Sequence, residues 1–185
     1  LPNIESLRLS GGIPFSPKQM EKVALLPRLR KLDLSGLQID DDHIRVLPLA
    51  QTLQVLDLEN TQVTGGSLDS IAELPNLEEL YLGVAAIEWD RRSGTRLSPA
   101  SGGPDGLFRL KPLKKLRTLQ IRAYGVLSTG WFDSLPQLET LDIQRGQPRD
   151  LPDPDIRALA RLPKLHSLTL PNSPTVEQVA LLRPL

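Results

Sequence analysis

The chain has 185 residues, 39% hydrophobic and 24% charged, which suits a folded domain with its own core and excludes a disordered or membrane-embedded chain. Lys plus Arg and Asp plus Glu both number 22, so no net field draws the chain to nucleic acid or to an anionic membrane. There is no cysteine, which removes disulfide frameworks, thiolate metal sites and cysteine nucleophiles.

In chain order, one phrase keeps returning. Leu1-Pro2-Asn3-Ile4 leads to Leu7 and Leu9, and Leu26-Pro27-Arg28-Leu29 leads to Leu32 and Leu34. Leu53, Leu56 and Leu58 follow without the proline, then Leu74-Pro75-Asn76-Leu77 with Leu80 and Leu82. The later copies are Leu116, Leu119 and Ile121; Leu135-Pro136-Gln137-Leu138 with Leu141 and Ile143; and Leu162-Pro163-Lys164-Leu165 with Leu168 and Leu170. The second anchors fall at 4, 29, 53, 77, 116, 138 and 165, with steps of 25, 24, 24, 39, 22 and 27. Each L-x-L predicts a short strand whose leucines point to one side, because side chains alternate along a strand.

A second apolar position follows at Ile39, Val63, Ile87 and Val126, and then apolar residues three or four apart, as in Ile44-Leu47, Leu68-Ile71 and Ile156-Leu159, predict a short helical segment. Asp40-Asp41-Asp42 stands where carboxylates cap a helix start. Pro48, Pro75, Pro136 and Pro163 are expected to end the helices and send the chain into the next strand. A unit of this kind cannot bury its leucines alone, and stacking covers its two open sides.

These seven copies resemble the leucine-rich-repeat family over essentially the whole chain, and Asn60-Thr61-Gln62-Val63-Thr64 is similar to bacterial repeats of about 24 residues. The resemblance implies an α/β solenoid, a horseshoe or arc with a parallel β-sheet on its concave face and short helices or 3₁₀ turns on its convex face. Asparagine often ties adjacent turns at the ninth repeat position of the family. Here that position holds Leu37, Thr61, Ala85, Tyr124, Gly146 and Ser173, of which only Thr61 and Ser173 could partly substitute. With no composition break, residues 1–185 read as a single domain. The register opens in mid-pattern at Leu1, as expected of a piece of a longer, bacterial polypeptide, and the cysteine-free composition suggests the cytoplasm. No run of about 18 apolar residues suggests a membrane span.

The 39-residue step carries an insertion at about 89–106, whose Gly, Ser and Pro content predicts a loop without regular structure. Trp89, Arg91, Arg92 and Arg96 make it the densest interaction chemistry in the chain, an arm that could border the concave face. A tolerated insertion without a role is the plainer alternative.

Period-two alternation sends Ser6, Arg8, Lys31, Asp33, Val55, Asp57, Glu79, Tyr81, Thr118, Gln120, Thr140, Asp142, Ser167 and Thr169 onto the concave face, with Ser10, Ser35, Glu59, Gly83, Arg122, Gln144 and Pro171 one step further. Candidate binding residues are Asp33, Asp57, Glu59, Glu79, Tyr81, Gln120, Arg122 and Asp142. Their acidic cluster suits a partner segment of basic character, and the face is poor in aromatic and basic residues for nucleic acid. A merely solvated sheet face is the alternative for each residue singly.

No catalytic residue, metal site or cofactor is expected. The two histidines, His43 and His166, lie far apart along the stack. Capping explains Asp40-Asp41-Asp42-His43 without a metal, and Arg149–Asp155 reads as a rigid connector ending in an Asp155 cap rather than a calcium loop. The expected function is protein–protein recognition, with a protein partner or an adjacent domain of the same polypeptide. A structural or assembly role is the alternative.

Overall fold

The structure, a computed structural model, describes residues 3–11, 15–83, 89–90, 95–96, 104–123, 129–145, 153–170 and 175–182. Its strands are β1 (Ser6–Arg8), β2 (Lys31–Asp33), β3 (Val55–Leu58), β4 (Glu79–Leu82), β5 (Trp89–Asp90), β6 (Thr95–Arg96), β7 (Thr118–Ala123), β8 (Thr140–Arg145) and β9 (Ser167–Thr169). Seven of them form one parallel sheet in the order β1-β2-β3-β4-β7-β8-β9. Leu7, Leu32, Leu56, Leu80, Leu119, Leu141 and Leu168 stand opposite one another along this ladder. The chain is thus an α/β solenoid, with one sheet strand from each of the seven predicted coils.

The second layer is built from α1 (Pro17–Ala24), α2 (Asp41–Ile44), α3 (Leu68–Ala72), α4 (Asp153–Leu159) and α5 (Val176–Leu181), with 3₁₀ segments at Leu47–Leu49, Gly65–Ser67, Pro104–Leu110 and Thr129–Ser134. Each packs on its neighbour from the next coil. Helices this short do not persist alone in water, and tertiary burial holds them. Local chemistry sets where they begin. Ser16 caps α1 in a capping box with Gln19, with Pro17 in the first turn, and Asp40 caps α2 by accepting from the Asp42 amide at 3.1 Å.

Between the layers lies a leucine core, with Leu32, Leu56, Leu80, Leu119 and Leu141 all at 0% exposure. Trp131 and Phe132 join it, ring centroids 4.1 Å apart, so the two rings fill volume that leucines fill elsewhere. The Trp131 indole N–H finds no acceptor among the described residues.

Several local expectations need correction. The insertion is not wholly irregular: Trp89 and Asp90 pair antiparallel with Arg96 and Thr95, and Pro104-Asp105-Gly106 opens a 3₁₀ segment. Turn-forming residues between two short runs can close a ribbon, and proline suits a first helical turn. Pro48 follows α2 as expected but also sits inside the 3₁₀ segment Leu47–Leu49, for the same reason. Asp155 does not cap α4, which already begins at Asp153 with Pro154 in its first turn. Ile87, Val126 and Ser173 lie outside the described residues.

The missing asparagine ladder has a counterpart on another edge. Among the described residues Thr61 binds only within its own turn, Oγ1 donating to the Leu58 carbonyl at 2.8 Å. The residue before the second anchor instead reaches back one coil: Thr52 to the Leu29 carbonyl, Asn76 to that of Gln51 and Gln137 to that of Leu113, at 2.6–2.7 Å.

Candidate functional site

The outward column of the sheet is Arg8, Asp33, Asp57, Tyr81, Gln120, Asp142 and Thr169, in register across all seven strands. This gathers five of the eight predicted sheet-face residues into one row. Glu79 stands two residues before Tyr81 on β4, Glu59 just beyond β3, and Arg122 within β7. The face is therefore assembled as the alternation requires, but its acidic groups are not free.

Asp33 is only 4% exposed. It is not the solvated carboxylate that its outward position suggests. Arg8 Nε donates to Asp33 Oδ2 at 2.5 Å, while the Ser35 hydroxyl and amide donate to Oδ1 at 2.7 and 3.1 Å. Burial pushes the Asp33 carboxyl up, but the Ser35 and Arg8 bonds outweigh it and hold its pKa below the ordinary value.

Glu79 accepts from the Tyr81 hydroxyl at 2.8 Å. Burial first, and then this bond, push the phenol up to about 12. Tyr81 is thus a neutral donor held by Glu79.

Glu59 accepts from Gln120 Nε2 at 2.7 Å and lies 3.6 Å from the Arg122 guanidinium. Arg122 also donates to Asn60 Oδ1 at 3.2 Å and Gln144 Oε1 at 2.9 Å, and Gln144 donates to Asp142 Oδ2 at 3.0 Å. Asp142 Oδ1 is shut off from solvent with no partner among the described residues.

Gly83 lets the turn after β3 lie close against the chain leaving β4. Leu58, Leu82 and Ile121 are in register, so the next residues are Glu59, Gly83 and Arg122. A Cβ on Gly83 would stand 3.1 Å from the Asn60 amide nitrogen and 3.4 Å from the Leu58 carbonyl. Asn60 makes the turn after β3 at φ 56°, a left-handed conformation that asparagine tolerates.

Asp57 is the exception in this row. Among the described residues its carboxylate accepts only from the Glu59 amide, at 2.9 Å. Burial raises its pKa above the ordinary value, and the Asp33 and Glu59 charges add to the rise. Arg8 opposes the rise only as a charge acting through space. A cation brought to this position would relieve that stress.

The network includes four residues outside the predicted set, Arg8, Ser35, Asn60 and Gln144, of which the alternation sends all but Asn60 onto the open face. The signal was available for Arg8, since a cation one step along a register from Asp33 is a cross-strand ion pair. The same signal existed for Gln144, in register with Arg122 on the adjacent strand, but not for Asn60, which follows β3 and meets Arg122 from beyond β4.

In the insertion, Trp89 and Arg96 stand opposite each other in the β5–β6 ribbon. β5 runs beside Gly65–Ser67, the segment that leads into α3. Arg91 and Arg92 lie outside the described residues.

Neither histidine hydrogen-bonds a serine or threonine among the described residues. His43 is buried against Asp40 and the Phe15 carbonyl, and His166 meets the Lys164 carbonyl at 3.2 Å. Asp41 ties coils together, accepting from the Thr64 amide at 2.7 Å and from the Ser67 hydroxyl at 2.5 Å. Among the described residues no three His, Cys, Asp or Glu side chains are placed to hold a metal ion, and no helix is long and apolar enough to cross a membrane.

No family model and no curated protein matches the sequence. Among solved structures the chain is similar to an internalin (inlF) from Listeria monocytogenes, at 17% identity over 92% of this chain and 68% of that one, with a TM-score of 0.37. The solenoid rests on the strand register above, not on this likeness.

Proposed function

We propose that the chain is a protein-recognition module whose open sheet face receives a segment of basic character, from a partner protein or from another domain of the same polypeptide. The observation that carries this reading is Asp57, a carboxylate midway along the open face with, among the described residues, only an amide to accept from and two like charges beside it. Around it the other acidic groups are already held by Arg8, Tyr81, Gln120 and Arg122, so the surface is preorganised rather than mobile. Glu79, opposite Val55 and two residues from the Tyr81 that faces Asp57, widens the acidic target in this reading. The β5–β6 ribbon, with Trp89, Arg91, Arg92 and Arg96 in its segment, is a second part of the binding surface in this reading.

The test uses a labelled peptide of alternating Lys and Gly, and the wild-type chain as bait in a native lysate. Charge reversal in Asp57→Lys/Glu79→Lys is expected to weaken peptide binding by about tenfold or more and to remove the captured partner, while Lys18→Glu on α1 changes neither. If the double reversal captures the same partner and binds the peptide equally well, the open-face reading fails.

A structural or assembly role is the second reading, and one observation favours it. Leu7, Leu9, Leu168 and Leu170 in the two end coils remain partly exposed, whereas their counterparts inside the stack are buried. Packing of the ends against neighbouring domains would cover them.

A further inference from the structure

The edge at which the chain runs into each strand carries chemistry that the open face does not use. Glu78, Lys114, Lys115, Arg117, Glu139 and Lys164 border a shallow cleft of about 140 Å³ there. Small-molecule pockets measure roughly 300–1,000 Å³, so this cleft has room for little more than the end of one side chain. The backbone around it is already engaged. The carbonyls of Glu78, Arg117 and Glu139 each accept two amide N–H groups from the following coil, at 2.8–3.2 Å, and a carbonyl has two lone pairs. The Gln137 amide nitrogen, also at the cleft, is committed to the Leu113 carbonyl.

Side-chain charge is what remains for a partner to read. Arg117 stands 3.7 Å from Glu139, and Lys115 donates to Asn76 Oδ1 at 2.6 Å. Lys114, Lys115 and Lys164 are exposed and have no carboxylate partner among the described residues. In a chain of zero formal net charge, three such lysines around one cleft are a local excess that the composition hides.

We propose that this edge is a second recognition surface that takes an acidic peptide segment of a partner protein, with one carboxylate seated among Lys114, Lys115 and Lys164. Glu78 and Glu139 decide between peptide and polynucleotide. A phosphate chain carries a charge at every nucleotide and would be driven against both carboxylates, whereas a peptide can place a neutral residue beside each. Among the described residues no aromatic side chain borders the cleft for a base to stack on, and no apolar one to enter a bilayer. The surface is separate from Asp57 and the open face, so it does not depend on the function proposed above.

The test is fluorescence anisotropy of the full chain with a labelled peptide of alternating Glu and Gly, at low salt and at about 150 mM ionic strength. The expected result is saturable binding that weakens with salt. It should fall about tenfold or more in Lys114→Glu/Lys164→Glu and persist in Lys114→Arg/Lys164→Arg and in Lys18→Glu. Circular dichroism of each variant checks that these exposed substitutions leave the fold intact. The proposal is overturned if no saturable binding occurs, or if the double reversal binds like the wild type. It is equally overturned if oligothymidylate or phosphatidylserine vesicles bind the wild type as tightly as the peptide does.

Discussion

Asp33 and Asp57 face each other across β2 and β3, yet their surroundings push them in opposite directions. Asp33 has its pKa lowered below 3.8, so its ionised form contributes stability above the unfolded value that is lost as pH falls through the lowered one. Asp40, lowered by His43 against the effect of its burial, has the same sign. Asp57 is raised, so its contribution is present below 3.8 and is lost as pH rises through the raised value. Urea midpoints across this range check the signs. Asp57→Asn should stabilise the chain near neutral pH, by on the order of 0.5–1 kcal/mol for a partly screened charge, and the gain should vanish in acid. Asp33→Asn should cost about 1–3 kcal/mol near neutral pH through the bonds it leaves unmade, with the loss shrinking in acid. Equal effects at every pH would show that neither carboxylate is perturbed. Aspartate at these positions was legible in the alternation, but their opposite titration was not. It depends on Ser35 and Arg8 reaching one carboxylate and not the other.

At the scale of the element, the close approach of the turn after β3 to the end of β4 depends on a residue with no side chain, Gly83, where a Cβ would meet the Asn60 and Leu58 backbone. Gly83→Val should press on the Asn60 turn and part the Glu59 contacts, costing about 1–3 kcal/mol as overpacking. Chemical denaturation measures it, and a midpoint unchanged from wild type would mean that the turn yields freely. The strands themselves were readable, because L-x-L recurs at a nearly fixed step and a shift of one residue would put leucines in water. The β5–β6 ribbon was not, since two residues per strand carry no periodicity. The short second-layer segments were only partly readable, as proline in a first turn looks in sequence like proline after a last one.

The whole molecule behaves as a stack in which each coil buries its neighbour's leucines, so the cost of removing one depends on its place in the stack. Leu80→Ala on β4 leaves a cavity between two coils and should cost about 2–5 kcal/mol. Leu168→Ala on β9, partly exposed at the end, should cost clearly less. Thermal or urea unfolding of the two variants tests this, and equal losses would mean that the end coil is as well covered as the interior.

Repeat number, strand positions and the row of outward side chains were all implied by the leucine spacing, because the alternation of a strand and the need to bury both sides of a coil leave one register. Which of those side chains are already engaged followed from contacts between coils some 24 residues apart and, for Glu59 with Gln120, 61 residues apart. Such distances depend on how the coils stack, and no local pattern encodes them. The acidic cluster read from the sequence is therefore mostly an internal network, with the half-buried Asp57 as its least satisfied member. The cleft among Lys114, Lys115 and Lys164 exists only because four successive coils bring Glu78, Arg117, Glu139 and these lysines side by side.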